Sequence, residues 1–174
     1  MSARLTRKLE IITNFAIIMV AIIIGIVFVK TYLLGGKDSP QTENLVGTKV
    51  SLPNVNWAQN DQTLLLVLQK GCHFCAESAP FYQRLIKETA GRKNIQLIAV
   101  LPQEIEESRK YLGELNVPIN EVKQTTPGAL GVKGTPTLLL VNNTGVVTDA
   151  WLGKLSAEME SAVLNRLQVA TASN

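Results

Sequence analysis

Apolar residues are distributed along this chain in three ways: one long unbroken block, several short runs, and spaced sets with the period of a helix. The long block is Ile11 to Val29, where only Thr13 and Asn14 are polar and Phe15 to Val29 carries no polar side chain. At ~1.5 Å of rise per residue it makes a helix of about 28 Å, close to the ~30 Å hydrocarbon core of a bilayer, so the pattern predicts one transmembrane helix. The short runs Thr63–Leu68 (TLLLVL) and Ile95–Leu101 (IQLIAVL) are too brief for helices and suit strands buried on both faces. Val50–Leu52 predicts a short strand ahead of them. Phe74, Phe81 and Leu85 fall seven and four residues apart, which predicts a helix over His73–Thr89 with one core-facing stripe and Gly91 as its C-terminal cap. Ile105, Ser108, Leu112 and Leu115 repeat in the same way over Glu104–Leu115, behind an acidic first turn that suits the helix dipole. A looser stretch containing Pro118 and Pro127 follows. Thr137–Val141 and Val146–Trp151 then read as strands joined by the hairpin signal Asn142-Asn143-Thr144-Gly145. Ser156 is placed to cap a last helix with Met159, Val163 and Leu167 on one face.

The order β-α-β-α-β-β-α, with helices available for both sheet faces, predicts a three-layer α/β/α domain preceded by the transmembrane helix. The 174 residues have room for one ordinary domain plus an anchor. Residues 1–34 form the N-terminus and anchor, 35–44 a polar linker with Gly35, Gly36, Ser39 and Pro40, and 45–170 the folded domain. The net charge of +3 belongs to the membrane segment: residues 1–37 hold five basic side chains against Glu10, and the rest of the chain holds 12 basic against 13 acidic. The soluble part has no basic stripe interleaved with aromatics, which argues against nucleic acid as a partner. Arg4, Arg7 and Lys8 precede the apolar block and only Lys30 and Lys37 follow it. The positive-inside bias therefore puts the N-terminus in the cytoplasm and everything after Leu34 outside, as a single-pass protein of the cell (inner) membrane. A cleaved signal peptide is the competing reading, but residues 30–36 offer no A-x-A-like site.

The chain has two cysteines, in Cys72-His73-Phe74-Cys75, at the junction of a predicted buried strand and a helix. Two intervening residues on a first helical turn bring the sulfurs within disulfide range, and free backbone N–H groups there stabilise a thiolate at the first position. Thiols so placed have pKa values of about 3.5 to 7.5 in place of about 8.5, so Cys72 is the expected nucleophile. Cys75, deeper on the helix beside Phe74, is expected to act second and resolve a mixed disulfide. Half of a zinc site is one alternative, but a closed site needs four ligands, and His73 is the only histidine. A structural disulfide is another, yet a bridge closing so short a loop restrains the unfolded chain very little.

Cys72-His73-Phe74-Cys75 after a strand, Pro80 five residues beyond, and Gly134-Thr135-Pro136-Thr137 just before a strand together resemble the thioredoxin superfamily. The match is to its membrane-anchored, extracytoplasmic thiol-disulfide oxidoreductases, and it covers about Leu45 to Gln168. The resemblance implies a thioredoxin-like fold and dithiol-disulfide exchange with protein thiols, without a bound cofactor, electrons passing through a partner such as a membrane protein. It further implies a cis peptide before Pro136, with Thr135 offering its backbone to an extended substrate. Pro80 would kink the active-site helix by removing one backbone donor. Three departures stand out. Gly71 replaces the usual Trp, Leu66 occupies the position of a buried acid, and Ser78 replaces a Glu common in envelope relatives. Glu77, one step earlier, is the candidate proton acceptor for Cys75, beside the reading that it is a solvated surface carboxylate. His73, when protonated beside the Cys72 thiolate, would stabilise the reduced form and make the disulfide more oxidising. The direction of electron flow stays open, and so do two further readings: a peroxide-reducing relative, although no Arg accompanies the motif, and a non-catalytic binding module or metallochaperone. Trp57 and Trp151 read as packing residues.

Overall fold

The apolar run Thr63–Leu68 supplies most of the middle strand, Gln62–Val67, of a five-stranded sheet. The computed structural model describes residues 44–169, together with Ile18, Met19, Val20, Ile22 and Gly25, which are helical. The transmembrane helix expected over Ile11–Val29 and the linker over 35–44 therefore lie outside the described residues except at those five positions and Asn44, and the end of the domain at residue 170 lies outside as well. Among the described residues no helix is long and apolar enough to cross a membrane. Residues 1–37 and 38–174 form two compact units, and the sheet with its covering elements belongs to the second.

The elements are β1 (Gln62–Val67), α1 (His73–Glu77), α2 (Ala79–Thr89), β2 (Ile95–Leu101), α3 (Ile105–Glu114), β3 (Glu121–Gln124), β4 (Thr137–Asn142), β5 (Val147–Leu152) and α4 (Ala157–Val169). The sheet order is β3-β2-β1-β4-β5, with β1, β2 and β3 mutually parallel and β4 and β5 antiparallel to their neighbours. Leu64 to Val67 are wholly buried because β1 is covered on both faces, which is why this strand reads as a continuous apolar run. The hairpin turn is held by Asn142, whose Oδ1 accepts from Thr144 N, Thr144 Oγ1 and Val146 N, while Gly145 takes a φ of +81°. Ser156 caps α4 through Oγ, which accepts from Met159 N at 3.4 Å.

Four expectations need correction. The helix over His73–Thr89 is two helices, broken at Ser78 (φ −86°, ψ −2°), with Pro80 in the first turn of α2. Pro80 lacks an N–H and so favours the start of a helix over its interior. Val50–Leu52 is not a strand. Pairing is limited to a bridge between Lys49 and Val146, because the antiparallel partner turns away at Gly145, whose carbonyl accepts from Val50 N; Val50 and Leu52 are nevertheless buried. The loose stretch holds an edge strand, β3, whose sequence EVKQ buries only Val122 and so lacks an apolar signal. The third layer is not helical. Buried residues from α1, α2, α3 and α4 all share one core with Leu64, Leu66, Leu138 and Leu140. The opposite face, with Leu65, Val67, Ile98, Val100, Leu139 and Val141, is covered by Leu45, Val50, Leu52, Leu130 and Val132. Those residues come from irregular chain and a short 3-10 turn over Pro127–Leu130.

Candidate active site

The parallel strands β1 and β2 end on the same side of the sheet, and the loop leaving β1 carries the cysteines. Gly71, at φ +80°, supplies a left-handed turn that only glycine adopts without strain, and the chain then enters α1. Cys72 is the N-cap of α1 in an extended conformation, its Sγ accepting from the Cys75 peptide N–H at 3.2 Å. Cys72 and Cys75 are joined as a disulfide, with Cα atoms 5.2 Å apart. Their environments differ sharply: Cys72 is half-buried, whereas Cys75 has 0% exposure and belongs to the helical core.

The segment before β4 closes over the first sulfur. The Thr135–Pro136 peptide is cis, and the Thr135 carbonyl oxygen lies 3.4 Å from Cys72 Sγ. Two hydrogen bonds fix this loop: Gly153 N donates to Pro136 O at 2.7 Å, and Thr137 Oγ1 donates to Gly134 O at 2.8 Å. Cys72, Cys75, Thr135 and Pro136, from two motifs about 60 residues apart, thus meet at one point.

The remaining candidates lie on the outer side of α1. His73 is 77% exposed, and its Nε2 is 3.2 Å from Glu77 Oε1. Glu77 Oε2 in turn accepts from Lys154 Nζ at 3.1 Å. The hydrogen bond from Lys154, aided by the charges of Lys154 and His73, holds the Glu77 carboxyl below its ordinary range. Glu77 is thus engaged by His73 and Lys154 at the surface while the Cys75 sulfur is sealed in the core. Phe74, beside it on this short helix, is 55% exposed.

Sequence reasoning missed Lys154, which reaches Glu77 across 77 residues with no local signal, and the structural use of Ser78. Ser78 is buried at the helix break, and its Oγ donates to Phe74 O at 2.8 Å. A Ser two residues before a proline, just after a predicted first turn, is the signal that marks such a break. Leu66 is wholly buried in the same core as Cys75. Among the described residues, the buried polar side chains are Thr63, Ser78, Thr89, Ser108 and Thr137, none of them charged. No group of three His, Cys, Asp or Glu side chains among the described residues could hold a metal ion.

No protein-family model matches this sequence, and no curated protein does so either. Solved structures are similar in fold. A putative thiol:disulfide interchange protein DsbE from Chlorobium tepidum aligns with a TM-score of 0.56 at 22% identity, covering 72% of this chain and 94% of its own. A thiol-disulfide isomerase from Corynebacterium glutamicum gives 0.54 at 14% identity, covering 70% and 96%. The thioredoxin domain of a thiol-disulfide oxidoreductase from Bacteroides vulgatus gives 0.51 at 16% identity, covering 65% and 83%. The fold of residues 44–169 is thus a mixed α/β, thioredoxin-like one.

Proposed function

We propose that this chain is a thiol-disulfide oxidoreductase that exchanges disulfides with protein thiols outside the cytoplasmic membrane, tethered by its N-terminal apolar segment. The observation that carries the reading is the asymmetry of the sulfur pair. Cys72 is reachable from solvent and its sulfur accepts a peptide hydrogen bond, which favours the thiolate, whereas Cys75 is sealed beneath it. Cys72 attacks a partner disulfide, the mixed disulfide forms, and Cys75 displaces the partner as a thiol. Thr135 offers its backbone beside Cys72 to an extended partner segment, with Pro136 holding that loop against the sulfur. The solved structures of similar fold include proteins described as thiol-disulfide interchange proteins and isomerases, which is consistent with this chemistry. Tethering is supported by the apolar block Phe15–Val29 and its flanking charges, and an N-terminus in the cytoplasm follows from them.

The test is a trapping experiment. Cys75→Ser in the full chain should accumulate partner proteins on Cys72 as mixed disulfides visible on non-reducing gels, and Cys72→Ser should accumulate none. Absence of any adduct with the first variant would remove the exchange mechanism.

A further inference from the structure

The resolving half of this chemistry requires a thiolate at Cys75, and among the described residues the buried side chains of its core are all uncharged. On β1, Leu64 and Leu66, and Leu68 just after it, share its core and are aliphatic; on β4, Leu138 and Leu140 are too, and Thr137 spends its hydroxyl proton on Gly134 O. On α1 itself the ionisable groups are His73 and Glu77, which pair with each other at the surface, Glu77 also with Lys154. On α2, Arg84 pairs with Glu160 of α4 at the surface, and Tyr82 is buried. On α3, Tyr111 is buried with its hydroxyl unpartnered, and on β5, Asp149 pairs with Arg166 of α4 while Trp151 contributes no ionisable group. Burial pushes the ionisation of both tyrosines up, so they stay neutral and serve poorly as bases. Burial of a thiol without a charged partner disfavours its thiolate as well.

From this arrangement, and resting on the exchange reading above, we propose that resolution by Cys75 proceeds by specific-base catalysis: with the Cys72–Cys75 bond open and the sulfur no longer sealed, hydroxide from solvent, not a protein side chain, removes the Cys75 proton. Hydroxide takes the proton and becomes water, and the Cys75 thiolate attacks Cys72 Sγ. The Cys72–Cys75 bond forms as the bond from Cys72 to the partner sulfur breaks. The partner sulfur leaves with the electron pair and takes a proton from water. The C-x-x-C pair is oxidised by two electrons and the partner disulfide is reduced. At neutral pH the mixed disulfide on Cys72 is consequently the long-lived species, and the chain holds its partner covalently until pH rises or another thiol arrives.

The experiment mixes the reduced full chain, in detergent micelles, with one equivalent of bis(nitrobenzoate) disulfide, whose released thiolate is coloured. A first phase reports attack by Cys72, and a second, of equal amplitude, reports resolution by Cys75. The second rate should rise about tenfold per pH unit across the neutral range without levelling off, as first-order dependence on hydroxide demands. Leu66→Asp, or Ser78→Glu if the first variant does not fold, should place a carboxylate in this core and flatten the profile. A second phase that is flat or reaches a plateau below neutral pH in the unmodified chain overturns the proposal while leaving the exchange reading intact. Absence of the first phase, or its survival in Cys72→Ser, overturns both.

Discussion

At the scale of single residues, the site works through two sulfurs in unlike surroundings. Cys75 lends its peptide N–H to the Cys72 sulfur and keeps its own sulfur out of water. In the reduced chain, iodoacetamide should therefore modify Cys72 at least about tenfold faster than Cys75, as mass spectrometry of each peptide would measure. Equal rates would remove the assigned roles. Glu77 is the other residue with a definite expectation. Its carboxyl is held below the ordinary 4.5 chiefly by the Lys154 hydrogen bond. A group whose pKa is depressed on folding contributes stability above its unfolded value and loses it as pH falls through the folded one, so this pair helps only above the acid range. In Lys154→Met the Glu77 carboxyl should titrate closer to 4.5, as carbon-detected NMR would record. Because the pair is open to solvent, thermal stability at neutral pH should scarcely change.

At the scale of elements, turns carry the precision. Gly91 and Gly145 both have left-handed backbones, at +78° and +81°, but differ in the space beside them. A Cβ at Gly91 meets nothing within 4 Å, whereas one at Gly145 comes within 3.0 Å of the Trp57 ring. Gly91→Ala should cost about 1–2 kcal/mol for the left-handed conformation alone. Gly145→Ala should cost more, because the indole must also shift; denaturant melts of the two variants give the comparison. The helix break has the same local logic. Ser78 ends α1 by donating to Phe74 O, and α2 begins at Ala79 with Pro80 in its first turn, so the cysteine turn is a separate short element set on a longer helix.

At the scale of the whole molecule, one sheet is packed by helices on one face and by irregular chain on the other. The second face still buries Leu65, Val67, Leu139 and Val141 completely. Leu139→Ala should thus destabilise the domain by about 2–5 kcal/mol, as a wholly buried leucine does beneath a helix, and urea unfolding would show it. A loss below about 1 kcal/mol would mean that the irregular cover is loosely packed. The proposed anchor has its own test: the full chain should sediment with membranes and resist carbonate extraction, and residues 38–174 alone should remain in the supernatant.

Strong periodicity made β1, β2, the β4–β5 hairpin and α4 legible, because covered strands and amphipathic helices need apolar side chains at fixed spacing. The cysteine pair was legible too, since a C-x-x-C after a buried strand has few other uses. The edge strand β3 escaped notice because it buries only one face and Val122 alone has to do it. By itself the sequence determined which segments are apolar, where the chain turns, and that two thiols lie one helical turn apart, all of which follow from local chemistry. Tertiary structure alone decided that Thr135 reaches Cys72, that Lys154 claims Glu77, that the described helices of the domain gather on one face, and that Cys75 sits in a core whose buried side chains, among the described residues, are uncharged. Each of these depends on residues distant along the chain, brought together only when the sheet assembles and its faces are covered.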